Sequence, residues 1–232
     1  LRLVGSEMCI RDRYEISDYD YIAGLKSFQD GMYQIQDISS MLAGEYTAPK
    51  AGDTIVDVCG APGGKSINAA LKMSEQGDCG RVIARDLSDY KVALIDENIK
   101  RLNITNIQTQ VYDALDCDES LINKADIVIA DLPCSGLGII GRKPDIKYNA
   151  SPEKLQSLVD LQRDILKVVS RYVKSGGVLM YSTCTINRAE NEDNADWICK
   201  ESGFTKDGEY HQLLPANNSG MDGFFVARLI KN

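Results

Sequence analysis

The sequence predicts an α/β fold organised around a doubly wound, mostly parallel β-sheet, and three observations carry that expectation. Short β-branched runs alternate with amphipathic stretches long enough to be helices. A glycine-rich turn, Asp57-Val-Cys-Gly-Ala-Pro-Gly-Gly-Lys-Ser66, follows the first of those runs directly. Acids stand at the ends of the next three runs, as Asp86, Asp113 and Asp131. In a sheet of this kind, ligands collect beyond the carboxyl ends of the strands.

Taken in order, Leu1 to Arg13 show neither helical nor strand period and read as a leader foreign to the fold, too interrupted for a signal peptide. Residues 14–50 read as an N-terminal helical extension, because Asp37, Ser39 and Ser40 precede apolar residues as a helix start does, and Ala48 to Gly52 is a turn. Residues 51–232 form the main domain. Thr54 to Cys59 is its first strand and Lys65 to Met73 its first helix. Arg81 to Asp86 is the second strand, followed by Val92, Ile95, Ile99 and Leu102 at helical spacing. Ile107 to Tyr112 and Ala125 to Ala130 are the third and fourth strands. Ser151 is an N-cap with Pro152 at the first helical position of a long helix carrying Leu155, Leu158, Ile165, Val169 and Tyr172. Gly176-Gly177 is expected to end that region, with Val178 to Ser182 as the fifth strand. A helix near 189–200 and a strand pair at Phe204 and 224–230 complete the pattern.

Composition narrows the function. With 44% hydrophobic and 26% charged residues the chain is globular, and no apolar run approaches the roughly 18 residues that cross a bilayer. Seven cysteines with no C-x-x-C pair point to a reducing cytoplasm, and a single histidine, His211, leaves neither a Cys/His zinc site nor a His-dependent hydrolase to build. Twenty-six basic against 34 acidic residues give a net charge of −8, the wrong sign for binding nucleic acid by bulk electrostatics.

Three cofactors compete for the glycine-rich turn. A P-loop would need glycine where Cys59 stands, and a dinucleotide fingerprint would need spacing that Gly60, Gly63 and Gly64 do not have. S-adenosylmethionine remains. Asp86 is placed to accept from both ribose hydroxyls and Asp113 to reach the adenine amino group.

Cys134, in Ala130-Asp-Leu-Pro-Cys-Ser-Gly-Leu-Gly138, and Cys184, in Tyr181-Ser-Thr-Cys-Thr185, lie just beyond the fourth and fifth strands. Cys79, Cys117 and Cys199 read instead as buried inert thiols. Carbon 5 of a pyrimidine becomes nucleophilic only after a thiolate adds to carbon 6, and that adduct must later be eliminated. Two cysteines, with Asp131 to hydrogen-bond the ring nitrogen during addition, suit this chemistry.

At these residues the chain resembles the Sun-type (Nol/Nop/Sun) RNA cytosine-5 methyltransferases. The likeness runs over about residues 31 to 230. It rests on Gln36-Asp37, Cys59-Gly-Ala-Pro-Gly-Gly-Lys65, Asp131-Leu-Pro-Cys134, Arg142-Lys-Pro-Asp-Ile-Lys147, Ser182-Thr-Cys184, Glu190-Asn191 and Asp222-Gly-Phe-Phe225. Gly60 in place of the usual Ala, and Leu132 where Ala is common, are mild departures.

The resemblance implies a Rossmann-like class I methyltransferase fold with a seven-stranded sheet. It implies Cys184 as the covalent nucleophile and Cys134 as the residue aiding release, with Asp131 and Lys65 in the catalytic group. S-adenosyl-L-methionine would be held by Cys59, Gly60, Ala61, Pro62, Gly63, Gly64 and Lys65 together with Asp86, Asp113 and Asp131. Pro144-Asp-Ile-Lys147 and Gln36-Asp37 look most like the bacterial branch that acts on small-subunit (16S) ribosomal RNA. That branch carries an N-terminal RNA-binding domain, so the chain resembles a catalytic portion, and the missing basic surface would reside in that domain. Arg142, Lys143 and Lys147 are expected RNA contacts.

The expected partner is therefore RNA, with no metal and no membrane, for a cytoplasmic monomer. Three alternatives stay open. They are transfer RNA as the substrate, a cofactor-binding RNA scaffold without catalysis, and a DNA cytosine-5 enzyme, which would draw its nucleophile from Pro133-Cys134 and leave Cys184 without a role.

Overall fold

Eight strands form one sheet in the computed structural model, which describes residues 2–5, 14–17, 20–77, 80–215 and 221–232. They are β1 (Thr54–Asp57), β2 (Arg81–Asp86), β3 (Ile107–Val111), β4 (Ala125–Asp131), β5 (Val173–Thr183), β6 (Phe204–Lys206), β7 (His211–Leu213) and β8 (Phe224–Lys231). Their order is β3-β2-β1-β4-β5-β8-β6, with β7 pairing to β8 outside that path. The first five are parallel. The last three are joined by antiparallel pairing, with β8 against β5, β6 and β7. The seven-strand path is the one expected, and β7 is a short addition that the sequence reading did not anticipate.

Alternation along the strands buries both faces. Ile55, Ile127, Ile129, Met180 and Val226 join one core with Ala69, Ala70 and Met73 of α2 (Gly64–Glu75) and Ala43 of α1 (Ile38–Thr47). Val56, Val128, Ala130, Leu179, Tyr181 and Phe225 point the other way, into a core shared with Ile165, Leu166 and Val169 of α4 (Pro152–Val169) and Ile198 of α5 (Glu192–Ser202). A period-2 pattern that is apolar on both faces is what a sheet covered by helices on both sides requires. The helix α3 (Asp89–Arg101) turns Val92 and Ile95 inward.

Local signals hold at the helix starts. Asp37 caps α1 by accepting from Ser39 N–H, and Ser88 and Ser151 cap α3 and α4 in the same way.

Two expectations are corrected. Gly176-Gly177 does not end an element but lies inside β5, where the register jumps from Ala125 opposite Val173 to Ile127 opposite Val178. The extra residues are absorbed as a bulge, so the ladder resumes beyond the glycines. Within 1–13, where no strand period is visible, Arg2–Gly5 pairs antiparallel with Tyr14–Ser17, a segment expected to belong to a helical extension. A two-stranded ladder is made by backbone groups and needs no amphipathic side-chain pattern. Cys79 lies outside the described residues. No helix among the described residues is long and apolar enough to cross a membrane.

After β1 the chain winds outward through β2 and β3, then crosses back to β4 on the other side of β1. That reversal opens a crevice at the carboxyl ends of β1 and β4. The glycine-rich turn leaves β1 there and Asp131 ends β4 there.

Candidate active site

The turn after β1 is held from below by β2. Gly60 N–H donates to the carbonyl of Arg85 at 2.7 Å, and Ala61 N–H donates to Asp86 Oδ2 at 3.0 Å. Asp86 is buried, and its Oδ1 also accepts from Leu87 N–H at 2.8 Å and pairs with Lys91 Nζ at 3.0 Å. Gly63 takes φ +105° to start α2, and a Cβ there would press on Ile67 and Ile95 at 3.2 Å. No side-chain hydrogen bond caps the start of α2, where the first N–H groups of a helix have no partner within the helix.

These features suit the S-adenosylmethionine that the resemblance implies. A glycine-built cradle would admit close approach, a helix start would suit the carboxylate, and buried acids would accept from hydroxyl and amino groups. Of the expected cofactor residues, Cys59 to Lys65, Asp86 and Asp131 gather around the crevice. Asp113 lies beyond β3, where its Oδ1 accepts from Leu115 N–H at 2.9 Å in a local turn. Burial pushes the Cys59 thiol up, and its side chain packs against the core shared with α4.

The two cysteines meet at the ends of β4 and β5. Their sulfurs are 3.1 Å apart, although the residues are 50 positions apart in sequence. The hydrogen bond between the two sulfurs draws the Cys184 thiol below its ordinary value, against the cost of burial, and Lys65 acts in the same direction. The same bond pushes Cys134 up. A thiolate on Cys184, with its proton donor in Cys134, is the arrangement this asymmetry favours.

Lys65, in the first turn of α2, sends Nζ to within 2.5 Å of Asp131 Oδ2 and 3.2 Å of Ser40 Oγ. Its ammonium also lies 5.3 Å from the centroid of the Phe224 ring. Asp131 Oδ1 accepts from Ser182 Oγ at 2.8 Å. The four expected catalytic residues, Lys65, Asp131, Cys134 and Cys184, are thus brought together from α2, β4 and β5.

Sequence reasoning missed Ser40, Ser182 and Gln162. Ser40 belongs to α1, where Gln36 Nε2 donates to it at 3.0 Å. Gln162 interrupts the buried stripe of α4 between Val159 and Ile165 while being wholly buried itself, a signal available in the sequence. Arg142, expected at RNA, is paired with Asp37 and, at 3.1 Å, with Asp222. It ties the start of α1 to the turn before β8. Cys117 and Cys199 are half-buried against the core, less enclosed than the buried thiols expected.

Comparison with known proteins follows the same lines. The family described as 16S rRNA methyltransferase RsmB/F matches residues 45–230. The chain is 38% identical over 229 residues to the probable ribosomal RNA small subunit methyltransferase B of Bacillus subtilis (strain 168), covering 90% of this chain and 50% of that protein. It is 34% identical over 227 residues to the protein of the same description from Synechocystis sp. (strain ATCC 27184 / PCC 6803 / Kazusa), again covering 90% and 50%. The chain therefore spans about half the length of the curated relatives it matches.

Among solved structures, NSun6 from Pyrococcus horikoshii with SFG aligns with a TM-score of 0.80 at 28% identity, over 92% of this chain and 56% of that one. M. jannaschii TYW2 in complex with AdoMet, at 16% identity and a TM-score of 0.53 over 87% and 80% of the two chains, shares the fold. The Rossmann-like methyltransferase fold stands, and the chain belongs to the RsmB/F family of 16S rRNA methyltransferases.

Proposed function

We propose that this chain methylates carbon 5 of a cytosine in small-subunit ribosomal RNA, with S-adenosylmethionine as the methyl donor. The observation that carries the reading is the 3.1 Å contact between Cys134 and Cys184 beside the Lys65–Asp131 pair. A single nucleophile would not need a second thiol at that distance. In an addition–elimination sequence, a second group beside the nucleophile can assist release.

In this reading the Cys184 thiolate forms a bond to carbon 6 of the base while Asp131, drawing a proton from Lys65, donates a hydrogen bond to the ring nitrogen. When bound, S-adenosylmethionine would supply the electrophilic methyl group to carbon 5, with the methyl–sulfur bond breaking and S-adenosylhomocysteine as the leaving group. Cys134, once its own proton has passed to solvent, takes the carbon 5 proton, the carbon 5–carbon 6 double bond re-forms as the carbon 6–sulfur bond breaks, and the electron pair of that bond returns to Cys184 as thiolate. Lys65 stabilises that thiolate, and Ser182 holds Asp131 in place. The cradle from Cys59 to Lys65, with Asp86 and Asp113, binds the donor. Similarity to proteins named ribosomal RNA small subunit methyltransferase B favours ribosomal over transfer RNA.

The test is a trapped adduct. With S-adenosylmethionine and a small-subunit ribosomal RNA segment, Cys134→Ala should give a denaturation-resistant protein–RNA band, and adding Cys184→Ala should abolish it. A band that needs Cys134 and survives loss of Cys184 would exchange the roles and revive the Pro133-Cys134 alternative.

A further inference from the structure

Glu190 and Asn191 belong to the motif set that marks the family resemblance, yet neither has a part in the chemistry above. Both are wholly buried. Glu190 Oε2 accepts from Ser135 N–H at 2.8 Å and from Gln162 Nε2 at 3.0 Å, and Oε1 accepts from Asn187 Nδ2 at 2.9 Å. The same Gln162 Nε2 donates to the carbonyl of Pro133 at 2.9 Å. Pro133 and Ser135 are the two neighbours of Cys134, so this pair of side chains grips the backbone on both sides of that thiol.

Asn191 does the same for Cys184. Its Oδ1 accepts from Thr183 Oγ1 at 2.5 Å, and its Nδ2 donates to the carbonyl of Thr185 at 3.0 Å and to Gln212 Oε1 at 2.8 Å. Ser135 Oγ and Thr185 Oγ1, 2.7 Å apart, join the two grips.

Two adjacent residues thus fasten two turns that leave different strands, and they do so through the immediate neighbours of each cysteine. We propose that Glu190 and Asn191 are positioning residues that set the separation of the Cys134 and Cys184 sulfurs. A carboxylate buried this deeply is costly unless its partners are fixed, and an apolar side chain would pack the same space more cheaply. Here those partners are Ser135 N–H, beside Cys134, and Gln162, which also holds the Pro133 carbonyl on its other side. The 3₁₀ turn Arg188–Glu190, which Asn187 caps through Ala189 N–H at 3.2 Å, leads directly into α5 and supplies the rigid base. The catalytic consequence rests on the cysteine chemistry proposed above, whereas the sulfur spacing can be read without it.

The experiment uses phenylarsine oxide, whose arsenic bonds both sulfurs of a close dithiol with loss of one water molecule, followed by mass-spectrometric mapping of the bridged peptides. The variants are Glu190→Ala, which removes one grip, and Thr183→Val, which is nearly isosteric and removes only the donor to Asn191. Thr183→Ser, which restores the hydroxyl, is the rescue. Wild-type protein should bridge Cys134 to Cys184. Thr183→Val and Glu190→Ala should bridge about 10-fold more slowly, with kcat for methylation down about 100-fold, as a misplacement near 1 Å produces. KM should be unchanged and Thr183→Ser should recover both.

Should Glu190→Ala not fold, Thr183→Val and its rescue decide alone. Bridging at the wild-type rate in a folded Thr183→Val protein overturns the proposal. Wild-type methylation that needs neither cysteine would instead overturn the adduct chemistry, and the bridging rates would still decide on the positioning.

Discussion

The Lys65 ammonium and the Asp131 carboxylate are in contact at 2.5 Å, so the two charges nearest the thiols act as one ion pair with opposite effects on Cys184. Lys65 favours the thiolate and Asp131 opposes it. The Cys134 hydrogen bond is the larger influence, and it carries the Cys184 thiol below the ordinary value of 9.0. Alkylation of Cys184 by iodoacetamide should therefore reach half its maximal rate below pH 9.0, because the reactive thiolate accumulates once pH passes the lowered value. Lys65→Met should move that midpoint up and Asp131→Asn should move it down. A wild-type midpoint at or above 9.0, followed peptide by peptide, would remove the thiolate assignment.

Asp57 gives the fold a pH signature of its own. It is fully buried, accepts from Ser66 Oγ at 2.6 Å, and burial pushes its carboxyl from 3.8 up to about 6. A raised value in the folded state means that the contribution to stability is present below pH 3.8 and is lost as pH rises through about 6. The shift corresponds to about 3 kcal/mol. Urea unfolding of wild type and Asp57→Asn across pH 4 to 7 should show a stability difference that changes by that order in this window and is level above it. Parallel curves throughout would mean that Asp57 ionises as freely in the native protein as in the unfolded chain.

Gly138 ties together the two turns that carry Cys134 and Cys184. Its N–H donates to the carbonyl of Cys184 at 3.1 Å, and its own carbonyl accepts from Gly223 N–H at 2.8 Å. A Cβ there would lie 2.2 Å from the Gly223 carbonyl oxygen and 2.8 Å from that of Cys184, both of them backbone atoms. Gly138→Ala should cost about 1–3 kcal/mol or more in chemical denaturation. It should also depress methylation beyond the loss of folded protein, because it displaces Cys184. A variant with wild-type stability would show that this approach is looser than drawn.

Asp86 tests the cofactor reading. It already accepts from the turn at Ala61 N–H and pairs with Lys91. Asp86→Ala should weaken S-adenosylmethionine by about 1.5–3 kcal/mol, the scale of hydrogen bonds to a charged acceptor. Calorimetry on the folded variant showing wild-type affinity would take Asp86 out of the binding site.

Much of the fold was legible in the sequence because its signals are local. Alternating apolar residues such as Ile127 to Ala130 specify a strand buried on both faces, and Ser151-Pro152 specifies where α4 begins. A one-dimensional pattern also marked the glycine-rich turn, the acids at strand ends, and both cysteines as chemistry-bearing. It misread Gly176-Gly177, since a glycine pair signals a chain break equally well when a bulge lets the ladder continue. It passed over β7, whose three residues carry too little pattern to register.

The relations between those residues were decided only by tertiary structure. Sequence shows Cys134 and Cys184 in similar turns, but not that the parallel pairing of β4 with β5 brings the turns together and puts the sulfurs in contact. Nor does it show Glu190, Gln162 and Asn191 closing on the neighbours of both thiols, or Arg142 held by Asp37 and Asp222. Local propensity acts over a few residues along the chain. The orientation of a buried side chain such as Glu190 is set by partners 28 and 55 positions away, Gln162 and Ser135, which only the completed sheet brings within reach.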